Sequence, residues 1–464
     1  MSEAPYSAPQ RTIHLWAVGS MADYLLFVAF NALILPIYTT GFGLDPRLVG
    51  WALTLPRIAD ALIDPWLGHF SDNLQTRWGR RRPLLLVAAL LGATMLVAMW
   101  WPARAWSHEA KFAWLLVSSI LLYFSYGLYS MSHQALGFEL SDDYHQRTKV
   151  MAVRGMWFSI TSMAGGWLYW LTLRPCFSDE IDGIRQISVG LAAILVGAAL
   201  ICVRNTRERF VHANRTHVPL WPAIRTCLKV RPFVLLLLLR IAQTLSVSLY
   251  ASIGFFIGVY YVCGGDKSQF SSLSGIVGMI GFAIAFILVP TSLWLSRTLD
   301  KRRGLIIGFG LTFLGALAMP LFNQPGMPNL LLAHMILFGV LAGVFNLFSA
   351  SVMPDICDID ELHSGERREG LFSAVLSFVS KIENSLCILV SSYLVAWSGF
   401  KADLGAANPP EVLTNMLWLG FAPKIVFSGL ALLVACYFPI TQKLMEGVHA
   451  ELAKRRAART PTPA

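Results

Sequence analysis

The stretch RIADALIDPWLGHFSDNLQTRWGRRRP, residues 57–83, joins an apolar run holding Arg57, Asp60 and Asp64 to a polar loop that ends in three consecutive arginines. Positions 57, 60 and 64 are spaced i, i+3 and i+7, so on a helix they stack along one face. The run belongs to a longer apolar stretch, 48–70, long enough to cross a bilayer core as a helix. A charge at the bilayer centre costs at least about 2.5–3.5 kcal/mol on insertion scales. A face with three such groups therefore looks inward, toward partners or water.

Working outward, apolar stretches of this kind recur twelve times, at 14–38, 48–70, 83–101, 113–137, 155–172, 187–203, 233–262, 271–295, 305–322, 330–353, 371–397 and 413–438. All are read as helices, because a spanning segment must satisfy its own backbone polar groups. The composition agrees: 55% of the 464 residues are hydrophobic and 14% charged, where a soluble domain carries about 25% charged. Disordered, collagen-like and nucleic-acid-coating chains are excluded, and a soluble enzyme is argued against. The expected fold class is an all-α membrane protein of twelve transmembrane helices.

If the stretches alternate sides, basic residues crowd one side: Arg77, Arg80, Arg81 and Arg82, then Arg147, Lys149 and Arg154, the segment from Arg204 to Arg231, Lys301 to Arg303, Arg367 and Arg368, and the tail. The other side holds only scattered ones such as Arg47, Arg104 and Lys267. The positive-inside bias then puts both termini and the long middle loop in the cytoplasm. The net charge of +10 reflects topology and attraction to lipid headgroups, with no need for nucleic acid. The first apolar run is too long for a secretory signal peptide and shows no A-x-A-type cleavage site. Seven scattered cysteines without a C-x-x-C suggest neither a disulfide framework nor a zinc site.

The longest interior connection, 204–231, splits the stretches six and six. The expected organisation is a cytoplasmic tail (1–13), a six-helix bundle (14–203), a linker (204–231), a second six-helix bundle (232–438) and a basic cytoplasmic tail (439–464). Internal echoes support two related halves. GHFSDNLQTRWGRRRP (68–83) is answered by LWLSRTLDKRRG (293–304), and GFELSDDYHQRTKVMAVRG (137–155) by VMPDICDIDELHSGERREG (352–370). Many secondary transporters are built this way, with a substrate site between the halves near the midplane. The segment KLMEGVHAELAKRRAAR (443–459) reads as a basic amphipathic helix on the inner leaflet or as a solvated tail.

The charges left inside apolar stretches are Asp23, Arg57, Asp60, Asp64, Arg240, Lys381, Glu383 and Lys424. Two carboxylates one turn apart, Asp60 and Asp64, can share a proton or offer oxygens to a hard monovalent cation. A closed lattice of Arg57 with either acid is the competing reading, but one arginine cannot neutralise both acids along with Asp23. Lys381, in SFVSKIENSL, is a fixed cation that can face the carboxylates across a cavity or snorkel to the interface. Glu383 points roughly opposite to it. Arg240 fits an interfacial or a cavity position equally, and Lys424 is expected to reach the outer interface.

These residues carry a resemblance. GHFSDNLQTRWGRRRP resembles the loop signature of the major facilitator superfamily. RIADALIDPWLG, FELSDDYHQRT (138–148) and DELHSGERREGLFSAVLSFVSK (360–381) are similar to segments of the glycoside-pentoside-hexuronide:cation symporters, the melibiose permease-like family. The likeness runs from about Asp23 to Pro439. It implies the major facilitator fold of two six-helix bundles and secondary active symport of a sugar or glycoside across the cytoplasmic (inner) membrane. It also implies roles for residues. Asp60 and Asp64 match the cation-binding carboxylates, Asp23 and Tyr126 match sugar contacts, and Lys381 matches a helix-eleven lysine linked to both sites. Arg154 matches a sugar-site arginine across a one-residue gap. Trp157 is a further candidate for stacking on sugar.

Departures from the family pattern qualify this. Ile63 stands where melibiose permease has an asparagine between its helix-two acids, Gly127 where it has a cation-site threonine, and Ser130 where it has a second sugar-binding aspartate. A dehydrated sodium ion needs several oxygen ligands and a proton needs one carboxylate, so the proton is favoured as coupling ion, with sodium the alternative. Galactoside recognition is in doubt, which admits another glycoside, a pentoside or an anionic sugar. Asp72 with Arg80 and Arg81, and Glu139 with Arg147, are expected to hold the outward-facing state. A lysolipid carrier of the same fold is the alternative function. An enzyme is not expected: His133 lies inside the fourth stretch without a second histidine at i+4, and no H-E-x-x-H or G-x-S-x-G occurs. No cofactor or metal is expected, and the partners are a sugar, a monovalent cation and the bilayer, with the chain a monomer.

Overall fold

The computed structural model describes residues 8–28, 32–74, 76–141, 144–206, 208, 220–366 and 368–459. Within these, the side chains of 61–62, 64–73, 144–145, 147–148, 220–221, 285–298, 338, 340–347, 350 and 456–459 lie outside the described residues. The first half comprises α1 (Gln10–Ala17), α2 (Gly19–Val28), α3 (Ile34–Thr40), α4 (Pro46–Asn73), α5 (Arg81–Ala98), α6 (His108–Phe138), α7 (Tyr144–Gly165), α8 (Leu168–Thr172) and α9 (Glu180–Asn205). After α10 (Leu220–Cys227) the second half holds α11 (Arg231–Phe256), extended by a π-helical turn at Ile257–Val262, then α12 (Lys267–Thr298), α13 (Lys301–Phe322), α14 (Pro328–Ser364), α15 (Glu369–Trp397), α16 (Pro410–Cys436) and α17 (Gln442–Arg459).

Seven of these helical segments, 81–98, 108–138, 180–205, 231–262, 301–322, 369–397 and 410–436, are long and apolar enough to cross a membrane. The remaining stretches read as spans coincide with helices that are interrupted, charged or partly outside the described residues. Helix boundaries follow local chemistry. Ser107 and Asp179 cap α6 and α9 by accepting from the Ala110, and from the Ile181 and Asp182, backbone amides. Proline occupies the first turn of α11, α14 and α16, where its missing N–H costs nothing. Gly365, at φ 75°, ends α14 in the left-handed conformation that a side chain disfavours.

The apolar interior is organised in two clusters. One unites residues of the first half with Ile253, Phe256, Phe270, Leu394, Met416 and Phe421 of the second. The other gathers Phe233, Phe309, Val352, Phe372, Ala431 and Phe438, all from the second half, near the end of the bundle where the chain terminates. The halves thus share a core at the end remote from the termini, while at the near end the second half has a core of its own. The shared seam is formed by α4 against α15 and by α7 and α8 against α12. Close approach is enforced by small residues. A Cβ on Gly50 would strike the Ser392 hydroxyl, and one on Gly275 would strike the Trp167 ring.

The internal echoes have a three-dimensional counterpart. Arg81 at the start of α5 pairs with Glu139 at the end of α6, and Lys301 at the start of α13 pairs with Asp355 near the end of α14 at 2.7 Å. Burial pushes the Asp355 carboxyl up, against the pull of Lys301. The C-terminal segment is helical, as one reading of its sequence expects, but its apolar face is turned to the protein. In α17, Met445, Val448 and Leu452 are buried in the second core, and Arg455 Nη1 donates to the Leu362 carbonyl at 2.8 Å. Its apolar stripe is covered by the protein's own second half, which removes the need for a leaflet to cover it.

Candidate functional site

The buried charges converge between the halves. On α4, Asp60 is 6% exposed, and its Oδ2 accepts from Lys381 Nζ of α15 at 2.9 Å. This bond joins the two halves directly, so the Lys381 ammonium faces Asp60 and does not snorkel. Around it α4 and α15 run antiparallel: Trp51 Nε1 donates to the Tyr393 hydroxyl at 3.2 Å, and the Thr54 hydroxyl donates to the Ser385 carbonyl at 3.1 Å. Gly127 of α6 lies against the same carboxylate, and a Cβ there would run into Asp60 Oδ1. The position where a threonine hydroxyl was missed in the sequence is therefore filled by the acid itself. Ile63, by contrast, is 41% exposed.

A second pair lies within the first half. Arg154 of α7 donates through Nη2 to Asp23 Oδ2 of α2 at 2.9 Å, and Asp23 is 2% exposed. Arg154, whose match to the family pattern needs a one-residue gap, is thus in direct contact with the helix-one acid. The pair is incompletely satisfied: Asp23 Oδ1, Arg154 Nε and the nearby indole Nε1 of Trp157 are buried without a hydrogen-bond partner among the described residues. Unmet buried donors and acceptors are costly, and one hydroxyl can donate to such an oxygen while accepting from such an N–H.

Tyr126 lies within electrostatic range of Asp23, Asp60 and Arg154, and so connects the two pairs. Its ring is 5.5 Å from Tyr123 and 6.0 Å from Phe27. Arg57, 4% exposed, sits over the Tyr123 ring at 5.5 Å, a cation–π contact. Phe27 and Tyr123 were not singled out from the sequence, where nothing separates them from other aromatics. Ser130 is half-buried one turn from Tyr126. The side chains of Asp64, Asp72 and Arg147 lie outside the described residues.

Other charges sort differently. Lys424 does not reach an interface: it is 4% exposed, and its Nζ lies 4.5 Å over the Tyr250 ring within the second half. The position falls in the middle of α16, too far from either helix end for the side chain to escape. His133 stacks on Trp16 at 4.8 Å and is a core residue. Glu139 engages both Arg81 and Arg80, the latter at 3.5 Å. Its described partners belong to its own half, so this cluster braces α5 against α6.

Two features had no clear sequence signal. Glu208, at the head of the linker, accepts from the Arg80, Arg81 and Arg82 backbone amides at 2.6–2.8 Å and so caps α5. Glu180 accepts from Thr40 at 3.0 Å, from Tyr169 at 2.8 Å, and from Lys267 Nζ at 2.9 and 3.0 Å. Lys267 begins α12, so this ion pair ties the halves at the end remote from the termini, beside a bond from Arg174 to the Ser268 hydroxyl at 3.0 Å.

Comparison with known proteins bears on the chain as a whole. The family described as MFS/sugar transport protein matches residues 15–442. The glucuronide carrier protein homolog of Escherichia coli is 24% identical over 447 residues, covering 96% of each chain. The isoprimeverose transporter of Lactiplantibacillus pentosus is 21% identical, covering 95% of this chain and 91% of its own. Among solved structures, a bacterial homolog of the human lysosomal transporter Spinster, inward-facing and unoccupied, superposes with a TM-score of 0.67 at 14% identity over 97% of this chain and 98% of its own. A D-xylose-proton symporter does so with a TM-score of 0.64 at 14% identity, over 91% of this chain and 97% of its own. These structures share the fold.

Proposed function

Because the chain belongs to the MFS/sugar transport protein family, and is therefore a membrane transporter and not an enzyme, we propose that it carries a sugar or glycoside together with a proton across the cytoplasmic membrane by alternating access. In this reading twelve spans form two six-helix bundles, both termini are cytoplasmic, and the chain acts as a monomer. The observation that carries it is the Asp60–Lys381 bond between the halves at 2.9 Å. Lys381 neutralises the acid in the absence of a coupling ion. A proton arriving on Asp60 cancels that attraction and loosens α4 from α15, which links ion loading to opening of the seam.

The remaining contacts support the division of labour. Asp23, Arg154 and Trp157 offer unmet donors and acceptors of the kind sugar hydroxyls satisfy, with Tyr126 as the link to Asp60. Gly127 supplies no oxygen beside Asp60, which favours a proton over sodium. The shared core, the Glu180–Lys267 pair and the α4–α15 seam close one end of the bundle, as in an inward-facing state.

The test is uptake by proteoliposomes against a panel of monosaccharides, disaccharides and uronic acids, with proton and sodium gradients imposed separately. Uptake of at least one sugar that follows the pH gradient and ignores sodium is expected. Strict sodium dependence would refute the proton assignment, and no uptake of any sugar would refute the cargo class.

A further inference from the structure

Glu383 is a buried acid that the coupling scheme leaves unused. It lies two residues beyond Lys381 on α15, yet it turns to the other side: Thr244 of α11 donates to its Oε1 at 2.8 Å. Glu383 is 7% exposed, and its Oε2 is buried without a partner among the described residues. Arg240 and Gln243 stand on the same stretch of α11. Arg240 Nε and Gln243 Oε1 are likewise buried without partners, and Arg240 is within electrostatic range of Glu383 but forms no direct ion pair with it among the described residues.

The charged groups around it are otherwise engaged. From α4, Arg57 approaches the same helix one turn on, near Cys387, while its guanidinium lies over Tyr123. On α15 itself Lys381 holds Asp60. Lys424 of α16 is turned to Tyr250, and α14 has no titratable residue between His334 and Asp355. An ionised Glu383 would thus bury a negative oxygen with one hydroxyl donor on its partner oxygen and a cation at a distance. Neutralisation is the less costly state for such a group. A metal ion fits poorly here, since a single carboxylate offers too few oxygen ligands and Arg240 adds a like charge within electrostatic range. A proton needs only the unpartnered lone pair of the buried Oε2.

We propose that Glu383 is a second proton-binding carboxyl, seated in the second half and distinct from Asp60. It takes up a proton on Oε2 while Thr244 keeps its bond to Oε1, and it returns that proton to water when the α11–α15 contact opens.

The test is infrared difference spectroscopy of the full chain in lipid nanodiscs, titrated with acid in the absence of sugar. Acidification should produce carbonyl bands of protonated side-chain carboxyls. One component should vanish in Glu383→Gln and persist in Asp60→Asn. Thr244→Val and Arg240→Gln each remove an interaction that favours the ionised form, so each should move that component's midpoint up by about one pH unit. A Glu383→Gln spectrum that superposes on the parent's overturns the proposal. If that variant does not fold, an unmoved midpoint in Arg240→Gln overturns it instead. Transport is not measured, so failure of the symport reading leaves this outcome intact.

Discussion

Replacing Glu180 by glutamine tests whether the closed end of the bundle is latched. The carboxylate receives two hydroxyl bonds and both contacts of one ammonium, at 2.8–3.0 Å. The amide keeps the shape but loses the charge, and its NH2 group must face Lys267 together with either Thr40 or Tyr169, donor against donor. A hydrogen bond to a charged group contributes about 1.5–3 kcal/mol. The Lys267 side chain is 24% exposed, so solvent screening reduces this to about 1–2 kcal/mol, or a shift of about 5- to 30-fold in the equilibrium between closed and open seams. The seam can be read through Ser392→Cys, buried against Gly50, in a chain whose seven native cysteines are replaced. Alkylation of that thiol should accelerate about fivefold or more when Glu180→Gln or Lys267→Ala is added. The double variant should gain little over either single one, because both remove the same interaction. Unchanged rates in both single variants, or fully additive effects, would refute the latch.

Lys381→Ala leaves the buried Asp60 uncompensated, a cost of about 3–5 kcal/mol. Uptake should fall at least tenfold in protein that inserts normally, and near-parental uptake would show that the lysine is dispensable. Gly127→Ser places a Cβ where Asp60 Oδ1 now lies, so proton-driven uptake should drop several-fold; an unaltered rate would mean the carboxylate has room to move. Asp64→Asn should abolish uphill accumulation while some sugar binding remains, and full accumulation in that variant would defeat its coupling role. Glu208→Ala removes the cap shared by three backbone amides and should lower stability by about 0.5–2 kcal/mol, seen as a lower unfolding temperature in detergent. An unchanged unfolding temperature would strip Glu208 of that role.

Residues whose burial contradicts their chemistry were the legible part. Asp23, Asp60 and Lys381 stood out because a charge in an apolar stretch demands a reason, and the structure pairs each of them with an opposite charge. Glu180 gave no such signal: an acid at the start of a helix is ordinary, and its four bonds arise only because Thr40, Tyr169 and Lys267 converge from three distant parts of the chain. Lys424 shows the reverse error. A lone lysine in an apolar stretch reads as interfacial, yet the face of Tyr250 receives it in the interior, a partner that no charge pattern reveals. The first apolar stretch, 14–38, reads as one span, whereas α1 and α2 are separate helices meeting near Val18; hydropathy carries no information on such a break.

The division of the apolar interior was beyond the sequence for a different reason. Which leucines and phenylalanines bridge the halves depends on how the halves are tilted, and in the proposed alternating-access cycle those contacts would be exchanged while the composition stays fixed. In the state described, the bridging residues Phe256, Phe270, Leu394 and Phe421 sit at the end that holds the Glu180–Lys267 pair. The apolar seal and the ionic latch therefore act at the same place. Apolar burial is non-directional and tolerates sliding, while the ion pair and the Gly50–Ser392 contact fix one register. Opening that end requires both to yield, and only the polar contacts can be switched by a proton or a ligand. In the proposed cycle, control of the larger apolar surface would thus fall to a few charged groups, among them the Asp60–Lys381 pair, which lies on the α4–α15 seam.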